Sequence, residues 1–237
     1  MLETIGGCFV ALDLSSDAFW EEVGRAAGLS NAVTLATIRA ACTPQDPTML
    51  NLSWRRLGDA GAAVVGAALG AMDAPLPFET IWLHNNELTA AGMRSIAEGM
   101  GRGRLPNLRE VNVGGNGDLG DGGATALAAA LADCSSLGHL TFAGCGVEGA
   151  GFAAVAAQLP RWRNLRALFA YGNPGPSDAL VRALAVALPS LPDAEYFSLE
   201  DSGLGEGAAA ELRAAKAAVG SDVLLQLGDG QDTGDDY

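Results

Sequence analysis

Residues 81–88 read IWLHNNEL, a segment in which two aliphatic residues stand two positions apart before an asparagine and a closing leucine, the spacing LxLxxNxL. The same spacing recurs in five further segments: LNLSWRRL from Leu50, VNVGGNGDL from Val111, LTFAGCGV from Leu140, LFAYGNPGP from Leu168 and FSLEDSGL from Phe197. A partial seventh copy, LQL, starts at Leu225, and neighbouring copies start 28 to 31 residues apart. A regular period of this length predicts a solenoid, whose units bury their apolar faces by stacking.

Each copy is followed by a helical pattern, in which small or apolar residues stand four, eight and twelve positions past the last apolar residue. In the second copy these are Gly92, Ile96 and Met100. Spacing by four places them on one stripe of a helix, and we expect the helix backbone to approach the strand where the small residue stands. Side-chain oxygens that can accept a hydrogen bond from an unpaired backbone N–H mark three predicted helix starts, at Thr89, Asp121 and Ser177.

The LxLxxN/CxL core, the long period and turns such as LGDAG at residues 57–61 resemble ribonuclease-inhibitor-type leucine-rich repeats. The resemblance covers residues 48–227, as six full copies and a terminal strand. It implies an α/β fold, a right-handed leucine-rich-repeat solenoid with a curved parallel sheet on its concave side and helices on its convex side. Two copies depart from the pattern, since the third has an extra residue, Gly117 or Asp118, and the fifth has NPGPSD as its turn.

The asparagine position of the core is expected to be structural. Asn86, Asn116, Cys145 and Asn173 stand there, and cysteine alternates with asparagine at this position in leucine-rich repeats. A buried amide can bond the turn backbone of adjacent coils, whose polar groups would otherwise be unsatisfied. We therefore predict a ladder of these four side chains, with Cys145 as a buried and unreactive thiol.

Residues 1–47 lie outside the period and have two interpretations. SSDAFWEEVGRAAG and SNAVTLATIRAAC both read as amphipathic helices, which would form an N-terminal cap over the open first coil. The stretch LSSDAFWEEV…LATIRAAC also resembles the F-box helical motif, whose members recruit a ubiquitin-ligase scaffold, although the usual proline after the first leucine is missing. At the other end, the acidic, Gly-rich segment 228–237 predicts a disordered tail.

The formal net charge of −14 and the pI near 4.4 argue against binding to nucleic acid or to anionic membranes, because a phosphate-binding surface has to be basic. No apolar run approaches the ~18 residues of a membrane-spanning helix. The charge is equally compatible with a basic protein partner and with solubility alone. The opening MLETIGGCFVAL has no basic residue before its apolar stretch, so we expect no secretory signal and an intracellular location, cytoplasmic or nuclear.

Motifs for catalysis and for metal binding are missing from the sequence. The four cysteines include no CxxC pair and there are two histidines, so we predict no metal site and no cofactor. The stretch GGNGDLGDGG at residues 114–123 lacks the lysine and the following serine or threonine of a phosphate loop. We therefore expect a protein that is not an enzyme. Ran GTPase-activating proteins share this repeat class and an acidic tail, a likeness of fold that carries no residues over.

The concave sheet face carries the candidate binding residues, because strand residues on either side of the buried leucines point away from the core. The predicted partner-binding residues are Trp54, Trp82 and His84 near one end and Phe169, Tyr171, Tyr196 and Glu200 near the other. Exposed aromatic clusters anchor many protein interfaces, unless the N-terminal segment or a terminal loop covers them. The sequence thus predicts a non-catalytic protein–protein interaction module, with an F-box-like substrate adaptor or a GTPase regulator as alternatives.

Overall fold

Seven short parallel strands form one sheet in chain order. The computed structural model describes residues 48–72, 74–175 and 177–228, so the predicted N-terminal cap at 1–47 and nearly all of the predicted tail lie outside the described residues. Corresponding residues of neighbouring copies lie side by side; Leu50 pairs with Ile81, and Ile81 with Val111. The strands are β1 Met49–Asn51, β2 Thr80–Trp82, β3 Glu110–Asn112, β4 His139–Thr141, β5 Ala167–Phe169, β6 Tyr196–Ser198 and β7 Leu224–Gln226.

Six α-helices alternate with these strands in the described part of the chain. They are α1 Gly58–Ala71, α2 Ala90–Met100, α3 Gly120–Ala130, α4 Gly149–Ala156, α5 Asp178–Ala187 and α6 Glu206–Val219. Short 3₁₀ turns at Leu159–Arg161 and Leu188–Ser190 follow α4 and α5. The predicted α/β solenoid, with one open curved sheet and a layer of helices behind it, is confirmed. None of the described helices is long and apolar enough to cross a membrane.

The apolar core lies between the sheet and the helices. Burying a leucine-sized side chain stabilises a protein by roughly 1.5–3 kcal/mol, so this core holds the repeats together. The central residue of every strand is at most 1% exposed, a row formed by Leu50, Ile81, Val111, Leu140, Leu168, Phe197 and Leu225. The middle of the helix stripe is at most 3% exposed, at Val65, Ile96, Leu127, Val155, Leu184 and Leu212.

Buried amide side chains join adjacent coils at the points where the strands end. Asn116 is fully buried. Its Oδ1 accepts hydrogen bonds from the backbone N–H groups of Asn86 at 2.9 Å and Leu88 at 3.1 Å. Its Nδ2 donates to the carbonyl oxygens of Leu83 and Val113. One side chain thus satisfies four backbone groups from two coils, groups that would be costly to leave unpaired inside the protein.

The ladder continues on both sides of Asn116. Asn86 makes equivalent bonds to the first coil, and Asn173 Oδ1 accepts from the N–H groups of Cys145 at 2.9 Å and Val147 at 3.0 Å. Cys145 occupies the position in the fourth coil, where its thiol donates to the carbonyl oxygen of Val113 at 3.2 Å. Burial raises the pKa of the Cys145 thiol to about 11. The thiol is therefore protonated at neutral pH and acts as a donor.

Aspartates at the starts of alternate helices bind the next helix. The prediction that Asp121 caps its own helix is wrong, because no side chain caps α3. Asp121 Oδ1 instead accepts hydrogen bonds from the N–H groups of Glu148 at 2.7 Å and Gly151 at 2.8 Å, at the N-terminus of α4. Thr89 does cap its own helix α2, whereas Ser177 stands at the cap position of α5 without a capping bond.

Asp59 and Asp178 make the equivalent contacts with α2 and α6. Asp59 Oδ1 accepts from the N–H groups of Thr89 and Gly92, each at 3.0 Å, and the Thr89 hydroxyl donates to Oδ2 at 2.6 Å. Asp178 Oδ1 accepts from the Gly205 N–H at 2.7 Å. The first, third and fifth helices are thereby tied to the second, fourth and sixth.

The small residue at the start of the helix stripe makes room for this aspartate. A Cβ atom on Gly92 would lie 2.4 Å from Asp59 Oδ1, and a Cβ atom on Gly151 would lie 2.6 Å from Asp121 Oδ1. Both distances are shorter than a van der Waals contact allows. The close approach predicted at this position is therefore to the preceding helix and not to the strand.

Replacing Asp59 with alanine should destabilise the array, because the first turn of α2 loses its acceptor. We expect Asp59→Ala to lower the free energy of unfolding by about 0.5–2 kcal/mol, the usual effect of losing a helix cap. Urea denaturation at neutral pH measures this. Asp118→Ala, at an exposed acid of the same rim, is the control and should have little effect. Equal midpoints for Asp59→Ala and the wild type would show that the hydrogen bonds from α2 to the Asp59 carboxylate do not stabilise the array.

The contribution of Asp59 should depend on pH. Burial acts to raise the pKa of Asp59, but hydrogen bonds from Thr89 and Gly92 outweigh it and hold the pKa below its ordinary value of 3.8. A carboxyl whose pKa is lowered by folding stabilises the protein fully above its ordinary pKa, and this stabilisation is lost as the pH falls through the folded-state pKa. The stabilities of wild type and Asp59→Ala should therefore converge in acid.

Replacing Asn116 with leucine tests the ladder. The substitution leaves the N–H groups of Asn86 and Leu88 buried without acceptors, and each lost partner should cost about 1–3 kcal/mol of unfolding free energy. The denaturation midpoint should fall accordingly. Asn107→Leu changes an exposed asparagine in the loop before β3 and should leave the midpoint nearly unchanged. If Asn116→Leu unfolds at the wild-type midpoint, the amide is not needed to join the coils.

Candidate functional site

The described residues that form the concave face of the sheet include no Lys or Arg. This face is formed by the residues on either side of each buried central strand residue and by the residue two positions after each strand. None of the seven strands contains Lys or Arg, and none of the six residues that follow β1 to β6 on this face is Lys or Arg. Among the described residues, no three His, Cys, Asp or Glu side chains are placed to hold a metal ion.

The first predicted cluster, here the N-terminal patch, consists of Trp54, Trp82 and His84. The His84 ring lies edge-on to Trp54 with centroids 6.3 Å apart, and its centroid is also 6.3 Å from that of Trp82. Trp54 is 71% exposed. His84 Nδ1 lies 3.2 Å from Ser53 Oγ, and the indole N–H of Trp82 donates to Glu110 Oε1 at 2.7 Å. The structure thus brings all three predicted residues together.

The second cluster, here the C-terminal patch, consists of Phe169, Tyr171, Tyr196 and Glu200. The rings of Phe169 on β5 and Tyr196 on β6 are packed with centroids 5.3 Å apart and planes inclined by 35°. Tyr171 follows β5 by two residues and is 46% exposed. Glu200 follows β6 by two residues and is partly exposed. The four side chains therefore form one surface across two adjacent coils.

The electrostatics of the C-terminal patch are negative. Burial raises the pKa of Tyr196, and the negative charges of Glu200 and of ionised Tyr171 raise it further. Tyr196 therefore stays protonated at neutral pH. These influences show that the Tyr196 hydroxyl lies within electrostatic reach of both neighbours.

The two patches are separate surfaces. Trp82 on β2 and Phe169 on β5 are three strand spacings apart, about 14 Å at about 4.8 Å each. Between them the face carries the half-buried side chains of β3 and β4, followed by the small, buried residues Gly114 and Ala143; the half-buried ones are Glu110, Asn112, His139 and Thr141. A partner that contacts both patches would have to span this middle region.

The predicted partner-binding residues left out two residues of this surface. Glu110 bonds Trp82 from the neighbouring strand. Its place one position before the buried Val111 predicted that it faces the concave side, but the pattern did not indicate its bond to Trp82. Leu224 pairs with Tyr196 in the sheet and is 43% exposed. Leu224 stands one residue before LQL, the partial seventh copy, so the repeat pattern did not include it.

Comparisons with known proteins agree with the fold. The family model "Leucine Rich repeat" matches residues 104–128. The chain is 33% identical over 138 residues to "Tonsoku-like protein" of Mus musculus, an alignment covering 54% of this chain and 10% of the mouse protein. It is 33% identical over 165 residues to "Tonsoku-like protein" of Bos taurus, covering 67% of this chain and 11% of the bovine protein.

The chain spans about a tenth of the length of these curated relatives. The similarity therefore describes one region of much longer proteins. Three observations agree with one another: the sequence period, the stacked strand and helix units of the described residues, and the family match at residues 104–128. Together they identify the chain as a leucine-rich repeat protein.

Proposed function

We propose that this chain is a non-catalytic protein-interaction module of the ribonuclease-inhibitor type, which holds a protein partner on the concave face of its sheet. The observation that carries the proposal is the C-terminal patch, where Phe169, Tyr171 and Tyr196 form an accessible aromatic surface. Tyrosine and tryptophan dominate the binding energy of protein interfaces, because they bury a large area and lose little conformational freedom. The N-terminal patch offers a second such surface, with Trp54 at its edge.

The aromatic side chains are presented by a framework that does not depend on them. The core beneath β5 and β6 is formed by Leu168 and Phe197, which are fully buried. Asn173 fixes the turn that follows β5 through its own hydrogen bonds. Truncating Tyr171 or Tyr196 therefore removes contact area without removing core. Such preorganised surfaces bind with a smaller entropy cost than flexible loops do.

The charge of the concave face supports a basic protein segment as the partner. The face contains Glu110 and Glu200 and no Lys or Arg, in a chain of net charge −14. Complementary charge speeds association and favours correct partners. The same charge disfavours phosphate backbones, so nucleic acid is not the proposed ligand. Cys134 and Cys145 are free and buried, as is usual in a reducing compartment, which supports an intracellular location.

Two other functions share the fold and remain as alternatives. An F-box-like adaptor would use residues 1–47, which lie outside the described residues, and a Ran-GTPase-activating-protein-like regulator would bind a small GTPase. No described residue favours either of them over a general module. The proteins that co-purify with the chain separate the three: ubiquitin-ligase scaffold subunits indicate the adaptor, and a GTPase indicates the regulator.

Truncation of the C-terminal patch should weaken partner binding. We expect Tyr171→Ala or Tyr196→Ala to reduce affinity by about 2 kcal/mol or more, as removal of an interface anchor does, while the urea midpoint stays close to that of the wild type. Partners are first identified by mass spectrometry of proteins that co-purify with the full chain. Their affinities for wild type and variants are then measured by calorimetry.

The matched control is Arg94→Ala, which changes an exposed residue of α2 on the convex side and should leave affinity unaltered. A partner that binds the Tyr171→Ala, Tyr196→Ala double variant as tightly as the wild type must use the rim or the helices. That result would overturn the assignment of the concave face.

A further inference from the structure

We propose that the C-terminal patch binds an arginine side chain of the protein partner, with its guanidinium against the rings of Phe169 and Tyr196 and beside the carboxylate of Glu200. This rests on the proposed function, since it names the partner group that the concave face would hold. Aromatic faces attract cations through the ring quadrupole, and carboxylates form paired hydrogen bonds with guanidinium groups. The patch places both kinds of group on one surface.

The aromatic part of the site is formed by two rings from adjacent strands. Phe169 and Tyr196 lie with centroids 5.3 Å apart and planes inclined by 35°, so they present neighbouring ring surfaces and not a closed stack. Both side chains are partly exposed, and Tyr171 beside them is 46% exposed. A cation is attracted when it lies within about 6 Å of a ring centroid. One planar group resting on the pair would meet that condition for both rings.

The acidic part of the site is a carboxylate without a partner. Within the described part of the chain, no residue donates a hydrogen bond to the side chain of Glu200, and no Lys or Arg forms an ion pair with it. Other acids differ in this respect. Glu110 accepts a hydrogen bond from Trp82 at 2.7 Å, and Glu79 pairs with Arg109 at 3.3 Å. Glu200 is thus the acid of the concave face that is free to accept a donor from outside.

The surroundings favour a positive charge and disfavour a negative one. Burial raises the pKa of Tyr196, and the charge of the nearby Glu200 carboxylate raises it further, so a second anion at this place would be repelled by Glu200. The concave strands carry no cation that could neutralise the carboxylate. A guanidinium brought by a partner would supply the missing charge.

Arginine suits the patch better than lysine does. Its planar group can stack on a ring and donate two parallel hydrogen bonds to one carboxylate, whereas an ammonium is a compact and strongly hydrated point charge. The apolar stem of an arginine also needs a surface to lie on. Leu224 provides one, because it pairs with Tyr196 in the sheet and is 43% exposed.

The test uses the full chain and short peptides that are identical except for arginine, lysine or citrulline at their centre. Citrulline keeps the shape of arginine and lacks its charge. Tyrosine-ring signals are followed by nuclear magnetic resonance at millimolar peptide. The chain has three tyrosines, of which Tyr171 and Tyr196 belong to the patch. We expect the arginine peptide to shift the two patch signals, and the citrulline peptide to bind about tenfold more weakly or not at all.

Two substitutions separate the charge from the ring. Glu200→Gln should weaken binding of the arginine peptide about tenfold. Glu98→Gln makes the same change in net charge at an exposed residue of α2 on the convex side, and it should leave the affinity within about twofold of the wild type because it lies outside the patch and salt screens its charge. Tyr196→Leu keeps apolar bulk and removes the ring, and it should also weaken binding about tenfold if the cation lies on the aromatic face.

The outcomes distinguish this site from the wider proposal. Patch signals that do not move with the arginine peptide, or that move equally with the citrulline peptide, overturn the arginine site. Loss of a natural partner in the Tyr171→Ala, Tyr196→Ala double variant would then still support the concave face as the binding surface. Conversely, if a natural partner binds the double variant as tightly as the wild type, the concave face is not the surface that holds this partner, even if the arginine peptide binds there.

Discussion

The hydrogen bond from a backbone N–H to a buried asparagine side chain determines how three pairs of neighbouring coils lie together, through Asn86, Asn116 and Asn173. It is made where a strand ends and the chain turns towards its helix, and Asn116 satisfies four such backbone groups at once. Without these amides, the turns would bury polar groups with no partner, and the coils could not stack closely. Because the turn is fixed, the residues just before it are fixed too. The orientation of His84 and of Tyr171 towards the concave side depends on this constraint.

The parts of the fold that follow from a single repeat were predictable from the sequence. Alternation along a strand and spacing by four along a helix are properties of the backbone itself, so the buried rows at Ile81 and Ile96 could be placed without coordinates. Contacts that cross from one repeat to the next were not predictable in this way. The pattern describes Asp121 as the start of its own helix, whereas its carboxylate serves α4. The same limit explains why Glu110, the partner of Trp82, was missed.

In the described part of the chain, the arginines and the unpaired acid of the concave face lie on different surfaces of the molecule. Several arginines lie on the loops that lead from a helix to the next strand, where they pair with acids, as Arg102 does with Asp133 at 2.7 Å and Arg109 with Glu79 at 3.3 Å. Exposed pairs of this kind contribute little to stability. Their location nevertheless matters for recognition, since it leaves the concave strands without a cation. A surface that combines aromatic rings with an unpaired carboxylate selects the position and the chemical type of the group that binds, whereas net charge alone selects only its sign.

The aspartate bridges divide the helix layer into pairs of coils. Asp59 joins the first coil to the second and Asp178 joins the fifth to the sixth, while no side-chain carboxylate in the described residues links α2 to α3 or α4 to α5. The N-terminal patch lies wholly within the first pair and the C-terminal patch wholly within the last. On the helix side the α2–α3 and α4–α5 junctions lack this restraint, and on the sheet side they are held by Asn116 and Asn173. Bending at these junctions should therefore pivot about these amide hydrogen bonds, so each patch would keep its shape while the span between the two widened or narrowed. The same two patches could then contact protein partners of different widths.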